Sequence, residues 1–202
     1  VILFYFISGY LMGRSYQRFQ RHSSTPVRDF YADRLLKLMP QYTAVVVLTF
    51  LLIHWLGPAQ HTFLMNQSVE PLKVVLNLAL LPANYVFAPF SIEALLPHPI
   101  IPPAWSLSTE FHFYLLLPMI LLLGRWGFLA IFTIAGAIQI AAMFHGSGIF
   151  NSDNFGYRFI FGVLVFFLAG LAYGRREHIF YRNIVRLYLA AYLCMLLIVA
   201  PS

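Results

Sequence analysis

The chain has 202 residues, 60% of them hydrophobic, 17% aromatic and only 10% charged. Soluble domains carry about a quarter charged residues, so this composition excludes a compact globule with a water-compatible surface. The net charge of +6 does not point to nucleic acid, because Lys and Arg concentrate in Arg14–Lys37 and Arg175–Arg186, between apolar runs. That is the distribution of the positive-inside rule, which keeps Lys and Arg on the cytoplasmic side of a membrane.

A crossing helix needs about 20 apolar residues. Val1–Gly13 reads as the second half of such a span, and it lacks the basic start of a secretory signal peptide. Gln41–Gly57, Trp105–Leu123, Trp126–Phe144 and Phe159–Tyr173 are each long enough to cross, and Leu187–Ala200 begins another span. Both ends read as cut, so a fragment is expected. Trp55, Trp105 and Trp126 fall at span ends, where amphipathic rings settle at headgroup level.

Pro71–Pro82 is apolar but short, with Lys73 and Asn77 inside and proline at both ends. If it does not cross, the basic segments Arg14–Lys37, Arg125 and Arg175–Arg186 share one side; if it crosses, they do not. It is therefore expected to be a re-entrant or interfacial helix, within an external segment His54–Pro103, that helps wall a cavity. His145–Asn154 is expected outside as well. The expected fold is all-α: a polytopic transmembrane helical bundle forming one domain, incomplete at both ends, over residues 1–202. It has four complete spans, partial spans at both ends and one short re-entrant or interfacial helix.

Cys194 is the only cysteine, which rules out an internal disulfide or a cysteine metal cluster. No metal site and no bound cofactor are expected. Polar residues inside spans carry the chemistry. A charge at a helix centre costs about 2.5–3.5 kcal/mol on insertion scales, so it normally faces a cavity or a partner. Glu110 is the only acidic residue in a full span. At 3.6 residues per turn, Ser106, Glu110, Tyr114 and Leu117 share one face, and His112 points roughly 200° from Glu110. Any histidine acting with Glu110 must come from another helix. Pro118 frees the Tyr114 carbonyl and is expected to bend this helix. A neutral, hydrogen-bonded packing role for Glu110 stays open.

Arg34 and Lys37 lie three apart on a helical approach to the span after Pro40, where two cations suit a phosphate. Topology signalling, with Asp33 paired to Lys37 at i,i+4, is the competing reading. Ser8-Gly9 allows another helix or a ligand to approach closely, and small residues in membrane helices are more often packing contacts.

Three motifs in order carry a resemblance. Phe6-Ile7-Ser8-Gly9-Tyr10-Leu11 resembles the "FF-x-x-SGF" helix of the acyltransferase-3 family of membrane acyltransferases. Tyr31 to Arg34, Lys37 and Pro40 resemble its "FY-x-x-R-x-x-R-x-x-P" loop. Trp105-Ser106-Leu107-Ser108-Thr109-Glu110-Phe111-His112-Phe113-Tyr114-Leu115-Leu116-Leu117-Pro118 is similar to its "WSLSVEEQFYLLLP" segment, with Asn84 and Arg158–Gly170 fitting the flanks.

The resemblance spans essentially the whole chain. It implies a membrane O-acyltransferase of about ten spans in the complete protein. An acyl group, usually acetyl, would pass from acyl-CoA to a hydroxyl on a cell-envelope or exported carbohydrate. It also implies a multi-pass protein of the bacterial cytoplasmic membrane, whose partners are acyl-CoA, the acceptor and the lipid bilayer.

The candidate residues are Glu110 for catalysis and Arg34 and Lys37 for the donor. Ser8, Gly9, Trp105, Ser106 and Tyr114 are placed around a substrate cavity. This chain departs from the motifs at Lys37, which lacks arginine's bidentate fork, and at Phe111 and His112, which replace "EQ". The family's catalytic histidine lies one helix before "FF-x-x-SGF", and none of His22, His54, His61, His98, His145 or His178 matches it. The fragment alone is therefore expected to be inactive. A multi-span transporter or a non-catalytic membrane subunit are the alternatives. A transporter would be supported by inverted repeats, which the sequence lacks.

Overall fold

The computed structural model describes residues 1–56, 71–85, 103–145, 152–174 and 179–199. They form eight α-helices: α1 (Ile2–His22), α2 (Pro26–Leu56), α3 (Pro71–Leu78), α4 (Ala104–Leu122), α5 (Gly124–His145), α6 (Ser152–Tyr157), α7 (Ile160–Gly174) and α8 (Ile179–Val199). A 3-10 turn, Leu81–Asn84, follows α3, and there is no strand among the described residues. Among the described residues, four stretches are long and apolar enough to cross a membrane: Pro26–Leu52, Ala104–Leu122, Gly124–Phe144 and Ser152–Gly174. The fold is a polytopic helical bundle. Most of the external segments expected at His54–Pro103 and His145–Asn154 lie outside the described residues.

The basic segment Arg14–Lys37 forms two helix ends joined by Ser23–Thr25, with Arg34 and Lys37 on α2 as the helical approach predicts. The turn holds because Asp29 accepts hydrogen bonds from the Ser23 and Thr25 hydroxyls. The Ser23 amide donates to the Phe19 carbonyl (2.9 Å), and Pro26 opens α2 at the first helical position, where proline is tolerated. The first full span is correspondingly longer than Gln41–Gly57. α2 continues through Pro40, since an interior proline removes one hydrogen bond without forbidding further helix.

α7 is the centre of the bundle. All its residues are buried except Phe161 and Tyr173, and 78% of the most apolar window of the Ser152–Gly174 span is buried, against 11% for that of Pro26–Leu52. α2 therefore lines the perimeter, and its exposed Leu48, Leu52 and Trp55 face the lipid.

The closest packing joins α1 to α7. Gly9 and Gly13 on α1 face Phe167 and Leu171 of α7, and Gly170 and Gly174 on α7 face Phe6 and Tyr10 of α1, so two small-xxx-small stripes let the backbones approach closely. A Cβ at Gly9 would lie 2.0 Å from the Phe167 carbonyl oxygen, and one at Gly170 would lie 1.9 Å from that of Phe6. α4 closes on the same helix through Phe113, whose ring stacks on Phe167 at 4.4 Å.

α3 is eight residues long, about 12 Å at 1.5 Å per residue, too short to cross. It is tied to α2 by the Tyr42 hydroxyl, which donates to the Asn77 carbonyl at 2.6 Å. The following 3-10 turn delivers Asn84 into the interior. The Asn84 amide donates to Thr109 Oγ1 (2.6 Å) and the Arg158 carbonyl (2.9 Å), and its oxygen accepts from the Ile160 backbone N–H (3.2 Å). One buried side chain thus pins α4 to the α6–α7 junction.

Candidate active site

α4 buries Glu110, which is 9% exposed. Its Oε1 accepts two hydrogen bonds, from Ser8 Oγ on α1 at 2.5 Å and from the Tyr114 hydroxyl one turn along α4 at 2.6 Å. Among the described residues Oε2 has no hydrogen-bond partner, so this oxygen is available to another group. The Gly9 packing brings Ser8 to the carboxylate, because the glycine sets how near α1 runs to α7.

Tyr114 connects this centre to the basic end of the bundle. Its buried ring meets Phe30 edge-on at 6.4 Å, and its hydroxyl interacts electrostatically with Arg34. The Arg34 side chain is 13% exposed and is ion-paired to Asp33. Its guanidinium donates to Ser15 Oγ at 3.2 Å and lies over the Phe30 ring at 5.9 Å. Lys37 is 61% exposed and pairs with the other oxygen of Asp33 at 2.6 Å. The two cations therefore share one carboxylate.

They also line an open cavity of about 460 Å³ together with Arg14, Arg18, Arg21 and His22 of α1. Sequence reasoning took these α1 arginines for topology signals. Their spacing of four and three residues, which stacks them on one face of a helix, was the signal that they converge.

The remaining candidates lie toward the other end of α4. Ser106 donates to the Pro103 carbonyl at 2.9 Å, within its own first turn. Trp105 meets the Tyr157 ring edge-on at 5.7 Å, with the Arg158 guanidinium 5.7 Å from its own ring. Ser8, Glu110, Tyr114 and Arg34 are brought into one line, whereas Trp105 and Ser106 stand apart from it.

His112 faces away from Glu110. A carbonyl can only accept, so the 2.7 Å contact with the Ser108 carbonyl puts the proton on Nδ1, and Nε2 accepts from the Tyr85 hydroxyl at 3.0 Å. Burial pushes the Tyr85 hydroxyl above its ordinary value, which keeps it a donor. Both ring nitrogens are occupied. No group of three His, Cys, Asp or Glu side chains that could hold a metal occurs among the described residues.

Four helical stretches able to span a membrane among the described residues, with Glu110 buried between them, define a class, a multi-pass helical membrane protein. Residues 1–202, the whole chain, match the acyltransferase-3 family model, described as an acyltransferase domain. The chain belongs to this family, which supports a membrane acyltransferase over a transporter. Over 70 residues it is 46% identical to an uncharacterized protein of Aquifex aeolicus (strain VF5), covering 35% of this chain and 30% of that protein. No solved structure matches the chain.

Proposed function

We propose that this chain carries the donor pocket and part of the reaction centre of a membrane-bound O-acyltransferase. The enzyme takes an acyl group, usually acetyl, from acyl-CoA and places it on a hydroxyl of a cell-envelope or exported carbohydrate. The observation that carries the reading is Glu110, with both hydroxyls on Oε1 and Oε2 unpartnered among the described residues. A histidine from another helix completes the centre by donating to Oε2.

In the reaction the acceptor hydroxyl oxygen bonds to the thioester carbonyl carbon and its proton passes to the histidine. The carbon–sulfur bond then breaks, and the histidine returns the proton to the departing thiolate. The products are an ester and a free thiol. Glu110 orients the histidine and stabilises its protonated form, as the acid does in hydrolase triads. Arg34 and Lys37 hold phosphates of the donor at the cytoplasmic mouth. Ser8 and Tyr114 position Glu110, Gly9 sets the spacing of α1, and Trp105 and Ser106 border the route of the acceptor. The concentration of Lys and Arg toward one side supports a multi-pass protein of the bacterial cytoplasmic membrane.

Glu110→Gln in the full-length protein tests the assignment, since the amide keeps the shape but not the charge. Transfer should fall about 10²-fold or more, the scale of a positioned base, while membrane insertion survives. Near-normal transfer by a correctly inserted variant would remove Glu110 from the reaction.

A further inference from the structure

The 460 Å³ cavity is more cationic than two phosphate ligands require. Arg14, Arg18, Arg21, Arg34 and Lys37 all line it, and none of its lining residues is acidic. Asp33, the carboxylate that pairs Arg34 and Lys37, offers nothing to the three arginines of α1. Arg14 donates to the Tyr10 hydroxyl at 3.0 Å, and Arg18 lies over the Phe19 ring.

Two donors at this cavity are buried without a partner: Arg34 Nε and Gln17 Nε2. Five cations and no acidic side chain in one cavity lining suit an anionic ligand, because charge-assisted hydrogen bonds to guanidinium and ammonium groups are the strong ones.

The cavity also has a direction. Arg34 is its deepest cation, beside Tyr114 and hence Glu110, whereas Arg18 and Arg21 are exposed near the end of α1. Arg14 to Arg21 spans seven residues, about 10 Å along the helix axis. One phosphate group cannot bridge that row and Arg34 together. A ligand with a diphosphate and a separate phosphate monoester can.

We infer that α1 supplies a second anion subsite, formed by Arg18 and Arg21, that selects a donor carrying a phosphate monoester on its nucleotide. Resting on the acyl-CoA reading above, this subsite takes the 3′-phosphate of coenzyme A, while Arg34 and Lys37 hold the diphosphate nearer the thioester. The acyl end then points inward, past Tyr114 toward Glu110. Arg18 and Arg21 act as specificity-determining residues and leave the chemistry to other groups.

Binding of coenzyme A and of its 3′-dephosphorylated form is measured on the full-length protein in lipid nanodiscs, for the wild type, Arg34→Ala and the double variant Arg18→Ala/Arg21→Ala. The wild type should prefer coenzyme A by roughly tenfold or more, the scale of a charge-assisted hydrogen bond. The α1 double variant should lose that preference and still bind the dephosphorylated form as the wild type does. Arg34→Ala should weaken both ligands and keep the preference. An α1 double variant that retains the full preference overturns the subsite and leaves the donor reading intact. A wild type that binds neither ligand overturns the donor reading itself, and the subsite with it. A wild type that binds both equally overturns the subsite alone.

Discussion

Adding one methyl group at Gly9 tests how the bundle holds its carboxylate. The ideal Cβ of Gly9→Ala would lie 2.0 Å from the Phe167 carbonyl oxygen and 2.8 Å from its carbon, a contact with rigid backbone. Real Cβ contacts stay beyond 3.0 Å, so α1 and α7 must separate by about 1 Å. The Ser8–Glu110 hydrogen bond, 2.5 Å long and one residue away, cannot survive such a shift unchanged. Overpacking of this kind costs about 1–3 kcal/mol. Gly156→Ala is the matched control, because its Cβ would meet only Ser152 Cβ, at an ordinary 3.7 Å. Thermal unfolding of the full-length protein in detergent, followed with acyl-transfer rates, should show Gly9→Ala destabilised and slowed, and Gly156→Ala close to wild type. Equal unfolding temperatures and equal rates for the two variants would refute the argument that close approach at Gly9 sets the site.

Two other outcomes follow from the same architecture. A cysteine introduced at His22, at the end of α1 among the basic residues, should resist an impermeant thiol reagent added to intact cells. Labelling there from outside would overturn the positive-inside assignment of this end. Asn84→Leu should lower stability by about 2 kcal/mol, because it strands the Ile160 N–H and deprives the Arg158 carbonyl of one of its donors. An unchanged unfolding temperature would show that Asn84 is not the pin between α4 and the α6–α7 junction.

The spanning helices were legible because a run of about 20 apolar residues has no other stable home. The course of α2 was less so. Pro40 reads as a boundary in sequence, yet the helix passes through it, since proline removes one backbone bond and the rest of the ladder continues. Glu110 was legible for its cost inside a span, and Tyr114 for its i+4 spacing. Ser8 is placed at a substrate cavity by the resemblance, but its pairing with Glu110 is not legible, because that bond joins two helices far apart in sequence. The Gly9–Gly13 stripe has the same limit. Its partner stripe, Gly170–Gly174, is visible in sequence, but nothing local says that the two meet. In sequence the α1 arginines read as topology signals of the positive-inside kind. Only the fold places Arg34 of α2 opposite them.

The two hydroxyls on Oε1 separate a working carboxylate from a packing one. Tyr114→Phe removes one donor and keeps the ring against Phe30, while Ser8→Ala removes the other and fits the α1 packing. A hydrogen bond to a charged group contributes about 1.5–3 kcal/mol, so each single variant should lose roughly tenfold or more in kcat if Glu110 must be held for the reaction. The double variant leaves Oε1 with neither donor, and neighbouring groups on one atom couple. Its loss should therefore differ from the product of the single losses. KM for the donor should change little in Ser8→Ala, which leaves Arg34 and Lys37 untouched, whereas Tyr114→Phe also removes the hydroxyl that faces Arg34. If Glu110 only packs, the same variants should lower the unfolding temperature and leave kcat per inserted molecule unchanged. Full turnover in the double variant would confine Ser8, Tyr114 and Glu110 to holding α1 against α4.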